Sequence, residues 1–162
     1  MKKLMFIAAI IGSLAMTANA STNSLFSREV RFDTFASYTQ GADVGAGIGA
    51  TLFPFKTLGL TVYGTRNNLD NLDGTFVQSA AAALIFRVPV TDVFAPYVTA
   101  GVSYGLDTRD FYPYAGVGVE YKITKRFGIF AEGVYQFESF QKWDVSGWEN
   151  IGVRGGIRFG LW

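Results

Sequence analysis

From Glu29 onward, apolar and polar residues alternate with a period of two through one stretch after another. Successive side chains of a strand point to opposite faces, so this period predicts half-buried β-strands rather than helices. Eight segments carry it: 28–38, 43–53, 58–66, 75–88, 95–106, 112–123, 127–140 and 150–162. The connectors between them, "TQGA", "PFKT", "NNLDNLDG", "PVTDVF", "DTRDF", "TKR" and "QKWDVSGWE", hold most of the Asn, Asp and Pro that turns require. Segment 75–88 contains "SAAAAL", which taken locally also fits a helix.

Sorting each segment by parity separates two faces of different chemistry. One face carries Val30, Phe32, Thr34 and Ala36, then Val44, Ala46, Ile48, Ala50 and Leu52, then Leu58, Leu60 and Val62. It continues through Leu84, Phe86 and Val88, Val98 and Val102, Val117, Val119 and Tyr121, Ile129 and Tyr135, and Ile151, Val153, Ile157, Phe159 and Leu161. No charge interrupts the middle of this face. The opposite face holds Glu29, Arg31, Asp33, Glu120, Lys122, Glu132, Arg154 and Arg158, with Arg87 at a strand end. Glycines and the rings of Tyr63, Tyr97, Tyr114 and Phe130 lie among these charges.

An apolar set that recurs in every strand makes one continuous apolar surface. Its partner set is too charged for an ordinary core, yet four acids nearly balance the bases. Apolar residues outside and polar residues inside is the arrangement a barrel immersed in lipid needs, and a mid-depth charge on its lipid side costs ~2–4 kcal/mol. Closure is compulsory there, because an open sheet edge leaves backbone groups unpaired in hydrocarbon. The pattern therefore predicts an all-β fold: an eight-stranded antiparallel up-and-down transmembrane β-barrel. Aromatic girdles are expected at its two rims, from Phe53, Phe55, Phe94, Phe111, Tyr112, Phe127, Phe140, Trp143, Trp148 and Trp162.

The first residues read differently. "MKKLMFIAAIIGSLAMTANA" has two lysines, an apolar run and a small-residue end, Ala18-Asn19-Ala20, the order of a secretory signal peptide. Its apolar run is broken by Gly12, Ser13 and Thr17 and is shorter than the ~20 residues of a spanning helix. Residues 1–20 are expected to be cleaved, leaving 21–162 as one outer-membrane β-barrel domain. Removing 20 of the 162 residues leaves 142, and with Lys2 and Lys3 gone, 12 of the 14 basic residues face 13 acidic ones, a net charge of −1. That balance does not recruit nucleic acid by bulk charge. With neither cysteine nor histidine, disulfides, thiolate and imidazole metal sites and histidine general bases are all excluded, and no cofactor is expected.

The chain closes on "NIGVRGGIRFGLW", an alternating stretch that needs a partner strand. In a closed barrel it zips against the first segment. Its residues Arg154, Gly156, Phe159 and Leu161 resemble the C-terminal signal by which outer-membrane barrels are recognised for insertion, with Trp162 where bacterial versions usually end in phenylalanine. Together with the strand number and length, this resembles the small outer-membrane barrels of the OmpA/OmpX type, the outer-membrane protein β-barrel domain, over essentially all of 21–162. The resemblance implies export through the periplasm to the bacterial outer membrane, with membrane lipids and the barrel assembly machinery as partners. Two departures stand out: a C-terminal soluble domain of the peptidoglycan-binding kind is not seen, and the loops are shorter than those linked to adhesion. An even strand number with both termini periplasmic makes "PFKT", "PVTDVF" and "TKR" the periplasmic turns.

Four functions are then open. The leading expectation is a non-catalytic structural barrel whose lumen is filled by side chains. In it Glu29, Asp33, Glu120 and Glu132 pair with Arg31, Lys122, Arg154 and Arg158, and Arg154 and Arg158 approach Glu29 and Asp33 where the last strand meets the first. The alternative is a narrow pore for ions or small solutes, motivated by inward glycines such as Gly47, Gly116 and Gly118 if no ring covers them. A lipid-modifying enzyme is disfavoured, since the outer-membrane families with such activity use a catalytic histidine. Surface recognition rests on loop 141–149, where Trp143 and Trp148 suit a partner as well as they suit lipid.

Overall fold

The computed structural model describes residues 26–39, 44–66, 77–137 and 151–161. The expected signal peptide, the tryptophan loop 141–149 and Trp162 lie outside them. Eight strands form: β1 (Phe26–Thr39), β2 (Val44–Phe55), β3 (Leu58–Arg66), β4 (Ser79–Arg87), β5 (Phe94–Gly105), β6 (Asp110–Lys122), β7 (Phe127–Gln136) and β8 (Ile151–Leu161). Each pairs antiparallel with its sequence neighbours, and β8 pairs with β1 to close the barrel. The seam runs from Val30 opposite Leu161 to Thr39 opposite Gly152. The alanine-rich segment is a strand, β4, paired along its length with β3 and β5. Alternation decides its state, because a half-buried strand needs one face to pack inward and "SAAAAL" supplies Ala81 and Ala83 to do so.

Two connections at the end where β1 begins and β8 finishes are built alike. In each, a threonine hydroxyl, Thr91 or Thr124, accepts hydrogen bonds from two backbone N–H groups of the turn: Val93 and Phe94, or Arg126 and Phe127. The first connection at this end, Lys56-Thr57, is shorter still. These turns fix the barrel's floor.

The two faces separate as the alternation predicts. Ile48 is 61% and Val117 64% exposed on the outer wall, and Leu52, Leu60, Val62, Leu84, Ile129 and Ile157 stand out with them. Glu29, Arg31, Asp33, Glu120, Glu132 and Arg158 are buried in the lumen. Val88 departs from the expectation: it follows the last residue of β4, its N–H bonds the carbonyl of Pro96, and its side chain is buried rather than on the outer wall. Phe53 departs too. It stands one position past outward Leu52 and so points inward, where it is 0% exposed, not part of a rim girdle.

Eight strands enclose a space just wide enough for side chains to fill. Phe53, Ile85 and Tyr97 form one apolar cluster inside it, and Ala81, Ala83 and Tyr114 another, with Tyr63 and Val134 packed against the second. The charged residues lie between and below these rings.

Candidate functional site: the ion-paired lumen

The lower layer, nearest the short turns, is assembled from six strands, β1 to β4, β6 and β8. Arg31 Nε donates to Glu29 Oε1 at 2.6 Å, and Arg87 Nη2 donates to Glu29 Oε2 at 2.6 Å. Arg31 also forms an ion pair with Glu120, which in turn accepts from Arg158 Nη1 at 3.0 Å. Arg158 grips Asp33 with two bonds, Nε to Oδ1 at 2.7 Å and Nη2 to Oδ2 at 3.1 Å. The Thr51 hydroxyl lies 3.3 Å from Asp33 Oδ2 and 2.9 Å from Thr61 Oγ1, so the carboxylate's second oxygen is also held. Phe53 supports the layer from beneath its guanidinium groups: Arg87 stacks 3.9 Å and Arg31 4.9 Å from its ring centre.

The upper layer centres on Glu132. Arg154 donates Nε and Nη2 to its two oxygens, both at 2.8 Å, the forked geometry that suits guanidinium to carboxylate. Thr99 donates to Oε1 at 2.6 Å and Tyr97 to Oε2 at 3.3 Å, so this carboxylate accepts from four donors. Arg154 also lies 4.6 Å from the centre of the Tyr63 ring. Burying charges stripped of water is costly unless pairing and hydrogen bonds are complete. Here both layers largely meet that condition.

The placement of the expected residues can be stated one by one. Arg158 and Asp33 are register partners across the β1–β8 seam, as are Glu132 and Arg154 across β7–β8. Arg154 therefore meets Glu132, and neither Glu29 nor Asp33, because the register sets it opposite β7's acid and four residues above Arg158. Lys122 stands apart: among the described residues no carboxylate is in ion-pair contact with it. Of the C-terminal signal, Arg154 faces the lumen and Phe159 the exterior. Gly156 lies so close to the β1 backbone at Thr34 and Phe35 that a Cβ would come within 2.7 Å of Phe35 Cα. Leu161 is the register partner of Val30.

Sequence reading left Arg87 as a strand-end charge, set Phe53 in a rim girdle, and did not single out Thr51, Thr61 and Thr99. Parity alone places all five inward, so a stricter use of alternation finds them. Their partners are another matter, since Arg87 and Glu29 are 58 residues apart.

Cavities lie along the axis among the described residues. One, about 90 Å³, opens at the loop end, with Arg154 and Tyr63 below Ser37, Thr65, Ser79 and Gln136. A second, about 20 Å³, lies between the two charged layers, beside Asp33, Glu132 and Arg158. A third, about 10 Å³, opens at the short-turn end. Side chains cover several of the inward glycines. Tyr97 lies over Gly118, within 2.6 Å of where a Cβ would stand, and the rings of Phe35 and Phe53 lie over Gly47 and Gly59. Among the described residues no cluster of acidic side chains could hold a metal ion.

No protein-family model and no curated protein matches the sequence. Solved structures do match in fold. A de novo designed transmembrane β-barrel superposes with a TM-score of 0.65 at 19% identity, over 83% of this chain and 96% of the design. A second designed barrel, TMB2.3, solved in solution, gives 0.65 at 18% identity, over 85% and 97%. The N-terminal β-barrel domain of Pseudomonas aeruginosa OprF gives 0.65 at 16% identity, over 83% and 98%. At these identities the likeness concerns architecture: the chain has the fold of an eight-stranded transmembrane β-barrel.

Proposed function

We propose that this protein is a non-catalytic structural barrel of the bacterial outer membrane, with a lumen closed by paired charges. The observation that carries the reading is the Glu132 carboxylate, held by four donors from β5 and β8 across the middle of the barrel. A plug tied to three strands, β5, β7 and β8, resists ion passage, and the Arg158–Asp33–Glu120–Arg31 chain beneath it is a second obstacle. The signal-peptide pattern, the apolar outer wall and the fold shared with transmembrane barrels support the membrane placement. Each of the buried carboxylates Glu29, Asp33, Glu120 and Glu132 is engaged by arginine, which supports a salt-bridge role over acid or base catalysis. Planar-bilayer recording of the purified protein tests this. We expect no sustained openings, and ion-selective openings in the unmodified protein would overturn the closed-lumen reading.

A narrow conduit is the second reading, favoured by the cavities stacked along the axis. It requires Arg154 and Arg158 to move off their carboxylates together. The same recordings decide between the two.

A further inference from the structure

Among the described residues, the short-turn end of the lumen carries more positive than negative charge. Four cations, Arg31, Arg87, Arg158 and Lys122, face three carboxylates, Glu29, Asp33 and Glu120. Each carboxylate is engaged by arginine, which leaves Lys122 outside the pairing. Lys122 is half-buried on the last inward position of β6 and lines the recess at the barrel mouth. Lys125 and Arg126, from the turn that follows, line the same recess with Arg31 and Arg158, and Glu29 and Glu120 are the carboxylates there. A surplus cation in a low-dielectric wall attracts a counter-charge far more strongly than it does in water.

Arg31, 2% exposed, lines the same recess; its Nη2 meets Glu29 and its Nη1 meets Glu120 as ion pairs, so its donors are engaged while its charge stands close to that of Lys122.

We propose that this recess binds an oxyanion of the phosphate class. One oxygen enters against Lys122, and the rest of the group is held at the mouth by Lys125 and Arg126. The dimensions favour such a guest, since about 10 Å³ of free space admits a single oxygen-sized atom and not a whole solute. A tetrahedral anion can put one oxygen inward and still present others to the rim. Lys122, Lys125 and Arg126, which form no ion pair among the described residues, suit a multiply charged group better than a single carboxylate. The phosphate can be that of a soluble solute or of a membrane phospholipid headgroup, because Ile123, Ile129 and Phe159 place the lipid-facing wall beside this rim.

Two arms of one experiment separate these sources. In the first, inorganic phosphate is titrated into the folded full-length barrel in uncharged detergent, against chloride at equal ionic strength, and the amide resonances of 122–128 are followed. In the second, native mass spectrometry counts lipids retained from mixtures of phosphatidylglycerol and phosphatidylcholine. A saturable phosphate response that weakens at least tenfold in Lys122→Gln supports the site with a soluble guest. Retention of phosphatidylglycerol over phosphatidylcholine that is lost in Lys122→Gln supports it with a headgroup as guest. Lys125→Gln/Arg126→Gln, altered only at exposed turn positions, provides a variant whose folding does not depend on the lumen and is expected to weaken binding several-fold. If neither ligand is preferred over its control, or if both variants bind as the unmodified protein does, the proposal is wrong.

Discussion

Arg158 and Asp33 face each other across the seam where the last strand meets the first, joined by parallel hydrogen bonds of 2.7 and 3.1 Å. They are 125 residues apart in sequence, so this pair forms only when the barrel closes. Removing one member of such a pair leaves its partner's charge buried. Arg158→Met is expected to lower stability by ~3–5 kcal/mol. The double variant Arg158→Met/Asp33→Leu is expected to be less affected than the sum of its single changes. Urea titrations in lipid vesicles, run as a double-mutant cycle, give the coupling. Additive effects would show that the pair contributes nothing to closure.

Glu132→Ala removes the acceptor shared by Arg154, Thr99 and Tyr97. Arg154 is then free to swing away from the lumen centre, toward the cavity it lines at the loop end. The variant is expected to lose ~3–5 kcal/mol of stability and to show channel openings in planar bilayers where the unmodified protein shows none. A folded variant that stays silent would locate the barrier in the lower layer.

The outer wall gives a test of lipid immersion. Val117 is 64% exposed near the middle of β6, with Val98 and Gly133 as its register partners. Val117→Arg on a wall in contact with hydrocarbon is expected to cost ~2–4 kcal/mol in vesicles. The same change on a water-facing wall would cost a fraction of that. The refolding midpoint in urea distinguishes the two.

Gly59 faces the Phe53 ring, and a Cβ there would lie 2.7 Å from two ring carbons. The ring has little room to shift, since it is fully buried beneath the Arg87 guanidinium. Gly59→Ala is expected to destabilise by ~1–3 kcal/mol, as overpacking does. Phe53→Leu in the same chain should relieve the clash and recover part of that loss. Heat-modified gel mobility across a temperature series measures both.

Arg109, in the β5–β6 connection, has φ of 56°, a conformation that costs a residue with a Cβ about 1 kcal/mol. It is exposed and no ion pair holds it among the described residues. Arg109→Gly is therefore expected to be neutral or to stabilise by up to ~1 kcal/mol, read as a raised denaturant midpoint.

Alternation is a local property, and it made most of the architecture legible. Leu60, Val119 and Ile157 declare the outer wall and Glu120, Glu132 and Arg158 the inner one, because a strand's side chains switch faces at every residue whatever its neighbours are. The strand count, the antiparallel order and the pairing of the last strand with the first follow from that alternation and from the ban on open edges in lipid. Even the inward placement of Phe53 was present in its parity, although its aromatic character suggested a rim.

What the sequence left open was who meets whom inside. Strand register put Arg154 opposite Glu132 instead of near Glu29, and set Arg158 opposite Asp33. Barrel closure brought Arg87, from the end of β4, onto Glu29 and over Phe53, and among the described residues it brought no carboxylate into ion-pair contact with Lys122. Such meetings depend on the stagger of eight strands and on distances across the lumen, neither of which period-two alternation encodes. The sequence by itself determined which side of the wall each charge occupies, and only the closed tertiary structure decided which charges neutralise one another.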